Sequence, residues 1–313
     1  MDFSFTSLGV SAAQPAYGRH LAAHVLCIEP ELFLIDCGEG AQYQLNAFGV
    51  KRHRIRHIFI SHLHGDHFFG LIGLLTSMGM NDRTEPLSIH ATAGLEEMIG
   101  LQLRLTGSVL PFDITYHPLT FSGMNRILET KRLEVFSFPL DHRTPACGFL
   151  FREKPLPLNI LPEKIAEYGL SFEQIRAVKS GSDLELPGGE LIPNQELTLP
   201  PYKPRSFAYC SDTAYSEAIV PFIRGVDLLY HESTFLDRDA ELAALTWHST
   251  AVQAARIALQ AEAGQLVIGH FSARYYDLQE LLDEACEIFP RTILAEEGVA
   301  VRLPLVRTGA PNP

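Results

Sequence analysis

One tryptophan and five cysteines stand in 313 residues. Cys27, Cys37, Cys147, Cys210 and Cys286 are odd in number, widely spaced and set mostly within apolar runs. That pattern excludes a disulfide frame or a paired-cysteine zinc knuckle and reads as reduced, buried thiols. No apolar run reaches the roughly 18 residues that a membrane-spanning helix needs. The opening MDFSFTSLGV lacks the positive start and long apolar segment of a secretory signal, so a cytoplasmic location and no membrane partner are expected. Positive charge is also scarce: 25 Lys and Arg against 37 Asp and Glu leave a net charge of -12, which argues against nonspecific affinity for nucleic acid. No internal repeat is present. With 46% hydrophobic and 20% charged residues the chain can bury one large core, so a single domain over 1–313 is expected.

What is present is dense in metal donors. SHLHGDHFFG at 61–70 places His62, His64, Asp66 and His67 within six residues. His62 and His64 share a parity, as two donors leaving one extended segment do, while Asp66 and His67 lie where the chain turns and can face a second ion. Imidazole and carboxylate without thiolate make zinc the first expectation, with other divalent metals as competitors. Three later segments each run from a buried apolar stretch into a polar residue: LEVFSFPLDH to His142, FAYCSDT to Asp212 and LVIGHFS to His270. Donors at the ends of buried strands converge on one rim of a sheet. Two ions need about six or seven protein donors with positions left open for solvent, and this set provides seven.

Between these motifs, strand-like and helix-like segments alternate. VLCIEP and LFLIDCG read as paired strands, HIFIS as a strand into the metal loop, and FFGLIGLLTSMGM as an apolar helix behind it. GLEEMIGLQLRL, HSTAVQAARIALQAEAG and LQELLDEACEIF read as amphipathic helices. The second has Ser249 or Thr250 as N-cap and Gly264 as its stop. Periodicity alone gives α/β or α+β.

HLHGDH followed by separated His, Asp and His resembles the metallo-beta-lactamase superfamily. Within it, DCGEGAQYQL at 36–45, HESTF at 231–235, HSTAVQAA at 248–255 and GHFSARY at 269–275 resemble the ribonuclease Z family. The likeness spans nearly the whole chain and is weakest at 152–200. It implies a four-layer αββα sandwich with an inserted exosite-like arm. It also implies two Zn2+ per chain, one on His62, His64 and His142, a second on Asp66, His67 and His270, with Asp212 bridging them. The implied substrate is precursor tRNA, and the short form of the family implies a homodimer. The arm, at 153–201, would grip the tRNA elbow, although YGLSFEQIRAV replaces the family's Gly-Pro-rich tip and Glu153, Glu163, Glu167 and Glu173 weaken a purely electrostatic clamp. The tail 304–313 is expected to be disordered.

The implied reaction is removal of the 3' trailer, leaving a 3' hydroxyl on the tRNA and a 5' phosphate on the trailer. His248 is the candidate proton donor to the leaving oxygen, with Glu232 orienting it, and Asp66 is a candidate base or ligand. Around the site, Ser272 and Arg274 are candidates for phosphate contact, and Lys203 and Arg205, within YKPR at 202–205, for backbone contact. KRHRIRH at 51–57 reads equally well as a solvated turn or an RNA contact. The rival functions are a small-molecule phosphodiesterase of the same fold and a noncatalytic RNA-binding homologue.

Overall fold

A computed structural model describes residues 2–308. The chain opens with an antiparallel meander, β1 (Phe3–Gly9), β2 (Ala23–Ile28) and β3 (Glu31–Cys37). Three strands then add in parallel, β4 (Ile55–Phe59), β5 (Leu87–Ala91) and β6 (Ile114–Pro118). Parallel neighbours need crossovers, and helices Ala41–Ala47, Leu71–Met80 and Gly94–Thr106 supply them. A second sheet begins with β7 (Asn125–Glu129), β8 (Leu133–Leu140) and β9 (Ala146–Glu153). After the short hairpin β10 (Leu184–Glu185) and β11 (Leu191–Ile192), it is completed by the parallel strands β12 (Ser206–Cys210), β13 (Leu228–Glu232), β14 (Gln265–Gly269) and β15 (Thr292–Leu294). β16 (Ala300–Arg302) returns to pair with β1.

The two seven-stranded sheets meet through aromatic side chains. Phe5 stacks on Phe207 at 4.7 Å between ring centroids, Phe59 meets Phe149 at 5.3 Å and Phe33 meets Phe151 at 5.5 Å, all of them buried. Each such ring contributes about 1.5–3 kcal/mol by leaving water. On the outer face of the first sheet, Leu34, Ile58 and Ile60 join Leu71, Leu74 and Leu75 of the helix behind the metal loop. On the second, helix Ala251–Gln260 lays Ala254, Ala255 and Ala258 against β13 and β14, the small side chains allowing close approach. Helix, sheet, sheet and helix make the four layers expected. Among the described residues no helix is long and apolar enough to cross a membrane.

The chain divides into two compact units, and both sheets lie in the first. The second comprises Thr130–Leu133, Arg152–Arg205 and the C-terminal segment from Pro304. It has its own small core of Leu170, Val178, Leu184, Ile192 and Leu197. Helix Phe172–Lys179 starts with a reciprocal cap: the Gln174 N–H donates to Ser171 Oγ and the Ser171 N–H to Gln174 Oε1. Within the expected disordered tail, the Val306 carbonyl accepts from the Lys203 N–H and the Thr308 N–H donates to Pro201. Residues 309–313 lie outside the described residues.

One local expectation needs correction. Helix Ala251–Gln260 starts at Thr250, whose hydroxyl accepts from the Gln253 N–H, but Gly264 does not stop it. Ala261 is the C-cap, and the left-handed turn falls on Glu262, with φ 54°. Gly264 is small for another reason: its N–H donates to the Val226 carbonyl at 2.7 Å, and a Cβ would strike the Asp227 carbonyl oxygen. Gly264→Ala is therefore expected to cost about 1–3 kcal/mol, as overpacking against rigid backbone does. Thermal unfolding would show it, and an unchanged melting temperature would contradict the close approach.

Candidate metal centre and catalytic dyad

The structure gathers all seven sequence-selected donors at the rim where the parallel strands end. His62 and His64 follow β4, His142 lies two residues beyond β8, Asp212 two beyond β12, and His270 directly after β14. Asp66 and His67 sit in the short helix Gly65–Phe68. His62 Nε2 lies 3.1 Å from His64 Nδ1, and His142 Nε2 is 3.2 Å from that same Nδ1. Asp212 divides its oxygens between two groups. Oδ2 is 3.5 Å from His62 Nε2, while Oδ1 is 3.2 Å from His67 Nε2 and 3.3 Å from His270 Nε2. Asp66 Oδ2 completes the second group at 3.6 Å from both His67 and His270.

These separations fit metal binding. Donors at about 2.0–2.1 Å from a tetrahedral ion stand roughly 3.3–3.4 Å apart. Moreover, His67 Nε2, His270 Nε2 and Asp212 Oδ1 are buried polar atoms without a hydrogen-bond partner among the described residues. Orphaned buried donors and acceptors are costly, and a cation between them removes the cost. Two groups of this kind, His62, His64, His142, Asp212 and Asp66, His67, Asp212, His270, can each hold an ion.

The remote ring nitrogens are fixed by neighbours that the sequence did not single out. His67 Nδ1 meets Asp36 Oδ2 at 2.9 Å, His62 Nδ1 meets Ser61 Oγ at 3.0 Å, His142 Nδ1 meets the Trp247 carbonyl at 2.9 Å, and His270 Nδ1 meets Thr234 Oγ1 at 2.9 Å. Each contact turns the other nitrogen inward. Asp36, fully buried, is the hub: it also accepts from the Ser61 N–H, the Ser61 hydroxyl and the Tyr209 hydroxyl. The only sequence signal for it was its place at the head of DCGEG. Asp36, His270 and Trp247 all adopt positive φ, of 55°, 61° and 63°, the kind of backbone strain that clusters at functional sites.

Electrostatics separates the histidines. Burial pushes His62, His64 and His142 below the ordinary imidazole range, leaving them neutral and ready to coordinate near pH 7. Burial would do the same to His67, but Asp212, Asp66 and Asp36 surround it and hold it protonated until a metal replaces the proton.

Beside these groups, His248 Nδ1 lies 2.9 Å from Glu232 Oε1. Glu232 is fully buried, and the N–H groups of Thr213, Ser249 and Thr234 with the Thr234 hydroxyl also donate to its carboxylate. Burial alone would lower the pKa of His248. The charge and hydrogen bond of Glu232 override it and raise the value to about 9. Thr234 joins the dyad to the metal groups, since its hydroxyl touches Glu232, His248 and His270.

His64, Asp66, Asp212, His248, His270, Ser272 and Arg274 line one open cavity of about 880 Å³. Lys203 and Arg205 do not line it and belong to the second unit. There Arg205 is 4% exposed and its guanidinium grips Glu153 at 2.7 and 2.9 Å, so the charge expected to meet RNA backbone is neutralised within the protein.

Comparison with known proteins agrees with this geometry. Human tRNase Z, short form, superposes with a TM-score of 0.71 at 29% identity, covering 97% of this chain and 100% of that one. The metallo-beta-lactamase fold protein YhfI from Bacillus subtilis superposes at 0.68 and 18% identity, covering 96% and 100%. A family model described as Anti-Pycsar protein Apyc1 matches residues 3–107. The two facing sheets and the His and Asp groups at their rim define a metal-dependent hydrolase of the metallo-beta-lactamase fold. A ribonuclease Z from Bacteroides fragilis is 44% identical over 301 residues, 96% of this chain and 99% of its own. The chain belongs to the ribonuclease Z family.

Asp36→Asn keeps the shape of the hub but replaces an acceptor oxygen with a donor. It is expected to weaken metal affinity by about 10- to 100-fold. Titration against a competing chelator measures this, and wild-type affinity would remove Asp36 from that role.

Proposed function

We propose that this chain is an endoribonuclease that removes the 3' trailer of precursor tRNA, leaving a 3' hydroxyl on the tRNA and a 5' phosphate on the trailer. The observation that carries the reading is the His248 and Glu232 dyad standing beside two His and Asp groups that share Asp212, in a chain of this family. His62, His64, His142 and Asp212 would hold one Zn2+, and Asp66, His67, His270 and Asp212 the other. Zinc suits seven imidazole and carboxylate donors without thiolate. When bound, the ions supply hydroxide near neutral pH and offset the phosphate charge.

The chain's own residues perform the remaining work. Glu232 fixes the proton on His248 Nδ1, which leaves Nε2 to donate to the departing ribose 3' oxygen. Asp66 acts as ligand rather than base. Its Oδ2 stands 3.6 Å from both His67 Nε2 and His270 Nε2, within the second donor group, which is where a ligand oxygen belongs. Its Oδ2 is further held by the Ala13 N–H at 2.8 Å. Ser272 and Arg274 line the same cavity wall, which supports a role for them in contacting phosphate.

Family likeness supports three further proposals: a homodimer, a cytoplasmic location, and a tRNA-docking role for residues 153–201. For the last, a segment with its own core and a capped helix is ordered enough to present a docking surface.

His248→Ala is expected to keep wild-type metal content and lose about a hundredfold or more in cleavage rate. Full rate in that variant would remove His248 from the reaction. Because the donor must carry its proton, activity is retained below its pKa and lost above it. Bound cations oppose Glu232, so the alkaline limb of the loaded enzyme should fall between the ordinary 6.5 and about 9, and Glu232→Gln should move it to lower pH. A limb that stays put in Glu232→Gln would contradict the coupling. The substrate is tested by mapping the cut in an end-labelled precursor tRNA beside an unstructured RNA. One cut at the base of the trailer is expected. Hydrolysis of a simple phosphodiester without any cut in the precursor would move the substrate to small molecules.

A further inference from the structure

The mouth of the cavity carries aromatic surface that the chemistry above leaves unused. Phe69 lines the cavity and is 62% exposed, yet its ring is fixed in place. It lies across Gly65, where a Cβ would collide with it, and braces edge-on against Phe68 with centroids 4.9 Å apart. Pro15 and Arg274 also line the cavity, and two residues further along the chain from each, Tyr17 and Tyr276 form an edge-to-face pair at 5.1 Å. These rings are 58% and 78% exposed. Tyr17 is held as firmly as Phe69. The Arg19 guanidinium sits 5.3 Å from its ring centroid and donates to the Tyr275 carbonyl at 2.6 Å. Tyr17 also takes a φ of 54°, a left-handed conformation that a bulky residue enters only at an energetic cost.

One large exposed ring on the cavity wall and a pair of exposed rings two residues beyond cavity-lining positions are suited to a flat ligand that lands on them. We propose that Phe69 and the Tyr17 and Tyr276 pair form a base-stacking platform for the nucleotides flanking the scissile phosphate. This rests on the reading that the chain cuts RNA. Three considerations favour nucleobases as the occupant. A net charge of -12 leaves little general attraction for phosphate away from the metal groups and Arg274, so affinity for the flanking nucleotides draws on another source. Stacking on aromatic rings supplies it and tolerates any base, as trailers of differing sequence require. An aromatic face also selects unpaired nucleotides, because bases inside a duplex have no free face to offer. The platform would therefore prefer a single-stranded 3' extension to a paired stem without reading its sequence.

The test places 2-aminopurine on either side of a non-hydrolysable linkage at the cut in a precursor tRNA and follows its fluorescence on binding to the metal-loaded full-length protein, so that nothing is cleaved. Wild type should quench the probe. Phe69→Ala should lose the quench at one position and Tyr276→Ala at the other, and on a cleavable precursor each should raise KM about tenfold. Phe69→Trp should retain both properties and Phe69→Leu should lose them, although leucine preserves the apolar contact with Gly65 and Phe68. Metal content and melting temperature at wild-type levels guard against misfolding of these exposed positions. A Phe69→Leu variant with wild-type quench and KM would overturn the platform, as would Ala variants indistinguishable from wild type on a substrate that wild type cuts. A wild-type protein that leaves the precursor uncut while hydrolysing a simple phosphodiester would instead sink the RNA reading itself.

Discussion

The buried carboxylate of Asp212 is the constraint around which the rest is arranged. It is 2% exposed and directs one oxygen to each of two histidine groups. An ionised carboxylate in such a place is tolerable only if cations or hydrogen-bond donors surround it. β4 and β14 run into His62 and His270, which with His67 meet that demand. The Asp36 hub repeats the solution one layer further back, where two hydroxyls, a backbone amide and an imidazole converge on a single carboxylate. The rigidity of the aromatic layer between the sheets matters for this reason: donors drawn from opposite sheets keep ångström-scale spacing only if the sheets cannot slide.

One side-chain type serves two purposes here because its surroundings differ. His62, His64 and His142 are desolvated with too little compensating negative charge and are held neutral. His248 is desolvated as well, but it faces the Glu232 carboxylate and is held charged. A neutral imidazole coordinates metal and an imidazolium gives up a proton. Thr234 touches both His248 and His270, so the orientation of the dyad and that of one metal-group histidine are set by one hydroxyl.

The candidate donors stood out in the sequence only jointly: a lone histidine or aspartate where an apolar run ends is ordinary, whereas seven such residues together point to a shared demand. The layers and the main helices were legible through apolar periodicity and caps. What escaped was of a different kind. Asp36 and Thr234 act through partners far away in the chain, and no local pattern marks a residue whose importance lies in a contact made only after folding. Gly264 was misread because a glycine after a helix usually supplies a left-handed turn, whereas here it makes room for a neighbouring backbone. Arg205 was misread because a basic motif does not reveal that a glutamate 52 residues away will bury it.

His62 and His64 come from the first sheet and His142, Asp212 and His270 from the second, so neither sheet alone contains a complete donor set. The HLHGDH motif, for all its density, is half a site until the aromatic layer has closed. A divalent ion that needs both halves binds the native state and not the unfolded chain, so by mass action its free concentration sets how much of the protein is folded as well as how much is active. A cell short of metal would then lose the enzyme in two ways at once, first by turnover number and then by abundance, as the unliganded protein opens more often to its proteases.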